Sequence, residues 1–340
     1  MSDRVNVGVI GAGRIGRLHA HQLTYRIPEA DVLAVSDIVV EAAQECATEC
    51  GIPVAIQDHR RIMENPDIDA VVICSSTDTH AQMIEEAAAA GKHIFCEKPI
   101  ALDLARIDQA LAAAAATGVI LQVGFNRRFD ANYSRVRQAV ERGEIGQPHL
   151  LHIISRDPAP PPIEYIKVSG GIFHDMTIHD FDMARFLIGS EVEEVYVAGG
   201  VMVDPAIGEA GDIDTALIVL RFENGVIGTI DNSRRAVYGY DQRVEVFGSL
   251  GSITSGNDYP NTATIRGPES IHRDLPLNFF MDRYVESYIA EKQAFVLSIQ
   301  NGHEPPVTGR DGRIPVIMGY AARRSYEENR PIRLSEIATI

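Results

Sequence analysis

The sequence predicts an α/β protein: an N-terminal doubly wound parallel sheet of the Rossmann kind, followed by a C-terminal α+β domain with a mostly antiparallel sheet. Three observations carry that expectation. Apolar strand-like runs alternate with helical periodicity from Val5 to about Val123, the pattern of a parallel sheet covered by helices. A glycine-rich turn, Gly11-Ala12-Gly13-Arg14-Ile15-Gly16, directly follows the first of these runs. Beyond Gly124 the alternation gives way to glycine-punctuated strands joined by turns such as Glu223-Asn224-Gly225, which read as antiparallel hairpins. The boundary is therefore drawn between a first domain over 1–124 and a second over 125–340.

In the first domain, strands are expected over Val5 to Ile10, Val32 to Ser36, Ala70 to Cys74, His93 to Cys96 and Val119 to Val123. Helices are expected over Ile15 to Leu23, His80 to Ala90 and Leu104 to Ala116. The alanine tract from Ala112 to Ala116 suits a helix lying close to a sheet, because alanine is the best helix former and the least bulky. In the second domain, strands are expected over Val192 to Gly199, Thr215 to Phe222, Val226 to Asn232, Arg243 to Phe247 and Ser252 to Thr254. Asp157 to Pro162, DPAPPP, reads as a stiff loop, since proline fixes φ and removes donors.

Composition narrows the function. The 340 residues, 45% hydrophobic and 23% charged, suffice for two ordinary cores. With 31 basic against 47 acidic residues the formal charge is -16. That field repels phosphate backbones and anionic membranes, so neither nucleic acid nor membrane is an expected partner. The start, MSDRVNVGVIGAG, lacks the basic, apolar and small-residue series of a signal peptide. No apolar run approaches the roughly 20 residues of a membrane span, and a cytoplasmic protein is expected. Cys46, Cys50, Cys74 and Cys96 fall in periodic segments rather than in a disulfide framework. Cys46 and Cys50 share a helix face, but no second ligand pair at zinc spacing follows, and no metal is expected.

The glycine-rich turn is read with its context. It joins a strand to an apolar-periodic helix, so the backbone of Gly11, Gly13, Arg14 and Ile15 can meet a pyrophosphate at the helix N-terminus. Gly16 allows the helix to pack closely. Asp37 ends the next strand, where an acid binds both ribose hydroxyls of NAD and repels the extra phosphate of NADP. A capping role for the helix that begins at Ile38-Val39-Val40-Glu41 is the alternative, and both can coexist. The segment Ser75-Ser76-Thr77-Asp78-Thr79-His80 joins another strand to a helix on the same sheet edge. It places Ser75, Ser76, Thr77 and His80 toward the nicotinamide end, although a capping loop explains it nearly as well.

Two further segments carry chemistry. Glu97-Lys98-Pro99 ends the strand His93 to Cys96, and the carboxyl ends of strands in an open parallel sheet face the ligand crevice. Glu97 and Lys98 are thus aimed at the cofactor and substrate, and a cis bond before Pro99 is compatible with the turn. Gly170-Gly171-Ile172-Phe173-His174-Asp175-Met176-Thr177-Ile178-His179-Asp180 is expected to enter one helix running to about Leu187. On such a helix Asp175 and His179, four apart, share a face. An imidazole accepts a hydroxyl proton near neutral pH, and a carboxylate beside it orients the ring or passes the proton on. A capped amphipathic helix is the bland alternative. A metal site from His174, Asp175, His179 and Asp180 is disfavoured, because His174 and Asp175 point about a hundred degrees apart and no thiolates complete it.

Taken together, the GAGRIG turn, the EKP tripeptide and the GGIFHDMTIHD helix entry occur in the order and spacing of the glucose-fructose oxidoreductase/inositol dehydrogenase/MocA (Gfo/Idh/MocA) family, which the chain resembles over essentially its full length. Gly124 to Asp130, Ser155 to Pro158 and Phe279 to Tyr284 look most like the family's inositol-oxidising branch. The resemblance implies NAD as cofactor and a small polyol or sugar as substrate. It also implies that Lys98, Asp175 and His179 match the catalytic lysine, aspartate and histidine. Asn126, Arg127, Asp157, Tyr238 and Tyr284 become candidates to line the polyol pocket beside them. It further implies that the 309–327 helix packs back on the first domain and that the sheet of the second mediates a homo-oligomer, expected to be a tetramer. A scyllo-inositol or aldose dehydrogenase, and a non-catalytic NAD-binding regulator, are the competing functions.

Overall fold

In the computed structural model, which describes residues 4–337, the first sheet has six parallel strands in the order β3-β2-β1-β4-β5-β6. They are β1 (Val5–Ile10), β2 (Ala30–Ser36), β3 (Val54–Ile56), β4 (Ala70–Ile73), β5 (His93–Glu97) and β6 (Leu121–Gly124). Every residue of β4 is buried, as both faces of a helix-covered parallel sheet require. The three-residue strand β3 was not expected from the sequence; it follows Gly51-Ile52-Pro53 and is too short to show a period.

The structure separates two compact units, and the first of them is not continuous in sequence. It comprises 1–126 and also Glu286–Val316, whereas the second comprises Arg127–Val285 and Ile317–Ile340. A single break at 124 is therefore replaced by three crossings. The physical reason is burial: Ile289, Phe295 and Val296 of the helix Val285–Asn301 lie in the same apolar cluster as Val7, Val9, Val72 and Phe95. The helix Gly309–Glu328 also contributes to the first unit at its start, where Gly312 leaves room for Ile100 and Val123 and Arg313 bonds Asp108. Its later turns belong to the second unit, where Ser325 accepts the Val197 N–H.

The second unit holds a seven-stranded sheet in the order β12-β11-β7-β10-β9-β8-β15. Its strands are β7 (Pro148–Arg156), β8 (Val192–Gly200), β9 (Thr215–Phe222), β10 (Ile227–Ser233), β11 (Asp241–Gly248), β12 (Gly251–Ser255) and β15 (Ile332–Arg333), and a separate small hairpin pairs β13 (Thr264–Arg266) with β14 (Ile271–Arg273). Only β7 and β10 pair in parallel. The expected hairpin at 223–225 joins β9 to β10, with Gly225 at φ +89 and the Val226 N–H donating to Asn224 Oδ1. One register row crosses the sheet through Phe247, Leu150 and Ile227, and all three side chains are exposed. Among the described residues no helix is long and apolar enough to cross a membrane.

The turn after β1 is fixed by contact. A Cβ on Gly16 would lie 1.8 Å from the Gly11 carbonyl oxygen, whereas a Cβ on Gly13 would meet nothing within 4 Å. Gly16→Ala should therefore cost about 3 kcal/mol of stability, as overpacking against backbone does, and Gly13→Ala close to none. Urea titrations of both variants check this; equal losses would refute the contact reading.

Candidate active site

The residues singled out from the sequence fall into two groups, one on each unit. On the first unit they gather at the carboxyl ends of β1, β2, β4 and β5. Between β1 and β4 the strand order reverses direction, the position at which open α/β sheets bind ligands. The helix Arg14–Arg26 begins within the glycine turn, with Gly13 as its cap residue, and the empty space in front of Gly13 lies where its first amides are exposed. Asp37 is held beside that turn: Oδ2 accepts the Ala12 N–H at 2.7 Å and Oδ1 accepts the Val39 N–H at 2.9 Å. Asp37 thus steadies both the turn and the approach to the helix Val40–Cys50, whose cap residue is Val39. An open cradle at a helix N-terminus with a fixed acid at the end of the next strand fits a dinucleotide.

Ser76 precedes the helix Thr77–Ala89, and Ser75 Oγ pairs with Thr79 Oγ1 at 2.7 Å. His80, expected to touch the cofactor, is buried, with Nδ1 2.8 Å from the Pro99 carbonyl and Nε2 3.0 Å from that of Ser75. Its ring ties the Ser75 loop to the Pro99 turn from behind. Glu97, also read as a cofactor contact, is committed to His19, whose Nε2 donates to Oε1 at 2.6 Å. Burial, helped by the Lys292 ammonium, pushes the His19 imidazole down to about 4, so the donor is neutral. Burial also works to raise Glu97, but the bond from His19 and the nearby cations hold it below its usual range. Lys98 follows directly, and the Lys98–Pro99 bond is cis.

On the second unit the expected single helix is interrupted. Gly171–Asp175 and Thr177–Ile188 are separate helices with Met176 between them at φ -93 and ψ -60. The His179 N–H reaches Met176 O at 3.3 Å instead of continuing the ladder. Asp175 therefore ends one helix and His179 lies in the first turn of the next. At the break, the buried Thr177 hydroxyl donates to Asn232 Oδ1 at 2.6 Å. Asp175 accepts from the Tyr165 hydroxyl at 3.0 Å and from Arg234 Nη1 at 3.3 Å. His174, given no role, packs its ring against Tyr320.

Beneath these groups runs a buried polar chain. Arg127 donates to Asp180 Oδ1 at 2.6 Å and to the Tyr240 hydroxyl at 3.3 Å, and Asn232 donates to Asp180 Oδ2 at 2.9 Å. Arg127 and Tyr284, expected to line the pocket, are buried within this layer, with Tyr284 against Tyr133 and under the Arg127 and Arg283 guanidinia. Tyr238 donates to Asp241 at 2.6 Å and accepts from Arg156. On the first unit, the buried Asn126 amide reaches Ser287 Oγ. Asp157 is only partly covered by neighbours, yet burial and the Asp175 carboxylate, opposed by Arg234 and Arg127, push its carboxyl up to about 7. The sequence reading weighed Asp180 only as a metal ligand and missed its place in this layer, together with Asn232, Tyr240, Asp212 and Arg234. Of these only Asp180, adjacent to His179, had a local signal.

Comparison with known proteins places both units. Residues 5–125 match the model described as an oxidoreductase family with an NAD-binding Rossmann fold, and residues 133–254 match the GFO/IDH/MocA C-terminal domain. The chain is 49% identical to the myo-inositol 2-dehydrogenase of Thermotoga maritima, over 98% of this chain and 99% of that one. A crystal structure of a probable dehydrogenase from Thermotoga maritima superposes with a TM-score of 0.96 at 49% identity, covering 98% and 100% of the two chains. Scyllo-inositol dehydrogenase from Lactobacillus casei, solved with NAD(H) and scyllo-inositol, superposes with a TM-score of 0.91 at 31% identity, covering 98% and 99%.

The Asp157 carboxyl gives a thermodynamic handle. An acid whose folded pKa is raised above 3.8 contributes its stability below that value and loses it as pH rises toward and through about 7. Asp157→Asn, neutral throughout, should therefore gain in melting temperature over the native chain as pH goes from about 5 to about 8. A difference that stays constant with pH would show that Asp157 titrates normally.

Proposed function

We propose that this chain, which belongs to the Gfo/Idh/MocA oxidoreductase family, is an NAD-dependent inositol 2-dehydrogenase that oxidises myo-inositol to its 2-keto product. The observation that carries this reading is the full-length likeness to a relative named for that reaction. Gly11, Gly13, Arg14 and Ile15 would hold the pyrophosphate at the helix N-terminus, and Asp37 the adenosine ribose. Ser75, Ser76 and Thr77 would line the nicotinamide end. Bound NAD supplies the carbon that accepts the hydride, and the remaining work falls to side chains.

Proton loss from the hydroxyl builds negative charge on its oxygen, which hydride departure from the same ring carbon converts into a neutral carbonyl, so a base and a cationic donor both have work to do. We assign His179 as the base and Lys98 as the donor that stabilises the developing alkoxide. Asp175 orients the reacting groups, and Asp157 and Tyr238 contact further hydroxyls. Asn126, Arg127 and Tyr284 are assigned to the same polyol pocket. An enzyme active on scyllo-inositol is the second reading, favoured by the likeness to the Lactobacillus casei enzyme; one inverted hydroxyl separates the two substrates. A cytoplasmic location accords with four free cysteines.

The protein is further assigned as a homotetramer. The exposed row of Phe247, Leu150 and Ile227, together with Leu217 and Val219 on the same face, supports a sheet-mediated contact. Light scattering at micromolar concentration should give four chains per particle, and a monomer would reject the assignment.

Activity is tested by incubating inositol isomers and aldoses with NAD and following nicotinamide absorbance. Myo-inositol should give the highest kcat/KM, and absence of turnover on every member would favour a non-catalytic NAD-binding regulator. His179→Ala should lower kcat by roughly 10²- to 10⁴-fold with NAD affinity retained. Near-native turnover in that variant would pass the base role to another group.

A further inference from the structure

Arg234 has one of the largest fully buried side chains in the chain, with its side chain 1% exposed. Its backbone is held on both sides. The Arg234 N–H donates to Asp214 O, Asp157 donates to Ser233 O, and the Ala236 N–H returns to Asp157 O. At the other end, the guanidinium stands between two carboxylates, with Nη1 3.3 Å from Asp175 Oδ2 and Nη2 3.7 Å from Asp212 Oδ2. Asp212 in turn accepts the Ile172 N–H with both oxygens, at 3.1 and 3.0 Å. Gly171, at φ +76, lies so near that a Cβ would come within 2.7 Å of Asp212 Oδ1. We propose that Arg234 is a positioning residue for the polyol reaction: its guanidinium pins the five-residue helix Gly171–Asp175 at both ends, through Asp212 at its start and directly at Asp175.

A helix of little more than one turn cannot hold its own geometry, and Asp175 stands at its last position, next to the Met176 junction. An arginine kept only for packing is a poor choice, since an apolar side chain of similar volume fills a core without desolvating a charge. Here Nε and Nη2 find no hydrogen-bond acceptor among the described residues, so the charge is retained at a cost. Charge counting shows what it does. Asp157, Asp175 and Asp212 all face this one cation, while Asp180 is taken by Arg127 and Asn232. One guanidinium cannot neutralise three carboxylates, and Asp157 is the group that gives way, its carboxyl pushed up to about 7 by burial and by Asp175. The other groups facing Asp157 are Arg127, Asp180 and the Tyr240 hydroxyl.

The inference rests on the proposed inositol oxidation, and its test separates the two. Arg234→Met and Arg234→Lys are compared with the native enzyme for kcat, KM, NAD affinity and the pH dependence of kcat/KM. Arg234→Met should lower kcat by about 100-fold, the usual effect of a small misplacement of a reacting group, with NAD affinity unchanged. Its acid limb should move to higher pH, because Asp157 loses the cation that opposes its protonation. Arg234→Lys should return the limb toward the native position and recover only part of kcat, since an ammonium restores the charge without the two-pronged geometry. Native-like turnover with an unmoved limb in Arg234→Met, or a lysine variant no better than methionine, overturns the proposal. If Arg234→Met does not fold, Asp212→Asn decides. It should lower kcat and move the limb to lower pH, and no change in either refutes the clamp. If the native protein oxidises no inositol, the functional reading fails. The clamp is then judged by infrared titration of the buried carboxyl, identified by its loss in Asp157→Asn. That carboxyl should titrate at higher pH in Arg234→Met than in the native protein, and an unchanged titration rejects the clamp.

Discussion

The close approach of Gly16 to the Gly11 carbonyl is the constraint on which the first unit depends. With no side chain at 16, the helix Arg14–Arg26 can lie against the turn and present its first amides to the space in front of Gly13. One turn further along the same helix, His19 is thereby brought to Glu97, 2.6 Å away at the end of β5. A second glycine serves the same contact, since a Cβ on Gly124 would come within 3.0 Å of the Glu97 carboxylate. The segment that cradles a dinucleotide and the turn that carries Lys98 are thus joined by one hydrogen bond between a neutral imidazole and a carboxylate. Shifting the helix outward would loosen both.

The second unit meets a related difficulty by other means. Its candidate chemistry stands over buried charges, and each must find a partner or shed its charge in surroundings that solvate it poorly. Arg127 and Asp180 find each other, with Asn232 completing the carboxylate and binding Thr177 at the helix break. The same Asn232 donates to the backbone of Ser155 on β7, tying the break to the centre of the sheet. The interruption at Met176 is a joint held at defined points.

What the sequence disclosed was whatever is local. The glycine turn, Asp37, the EKP turn and the 223–225 hairpin each announce themselves within a few residues, because backbone conformation selects their residue types directly. The strand β7 escaped notice although it lies in the interior of its sheet. Its sequence, PHLLHIISR, sets histidines and a serine among the apolar residues, and the exposed Leu150 breaks the expected alternation. Nothing in GGIFHDMTIHD marks a helix break, since neither glycine nor proline stands near Met176. The polar layer was invisible for a different reason: Arg127 and Asp180 are 53 residues apart, and Arg234 and Asp175 are 59 apart. Two adjacent arginines after a strand look like a solvated turn until burial is known. The bonds of His80 to the Ser75 and Pro99 carbonyls and of Glu97 to His19 were likewise hidden, because residue type does not reveal which way a side chain turns.

The discontinuity of the first unit bears on how the protein is made. Its sheet is encoded in the first 126 residues, yet part of the core over that sheet comes from Phe295 and Val296, and its last segment ends at Val316. During synthesis the nascent sheet must leave the ribosome with an apolar surface uncovered while the whole strand-rich middle of the chain is translated. An intermediate with exposed hydrophobic surface is prone to associate with other chains. The first unit is therefore completed only after the strands of the second have been made, and a chain that stops before Val316 lacks part of it.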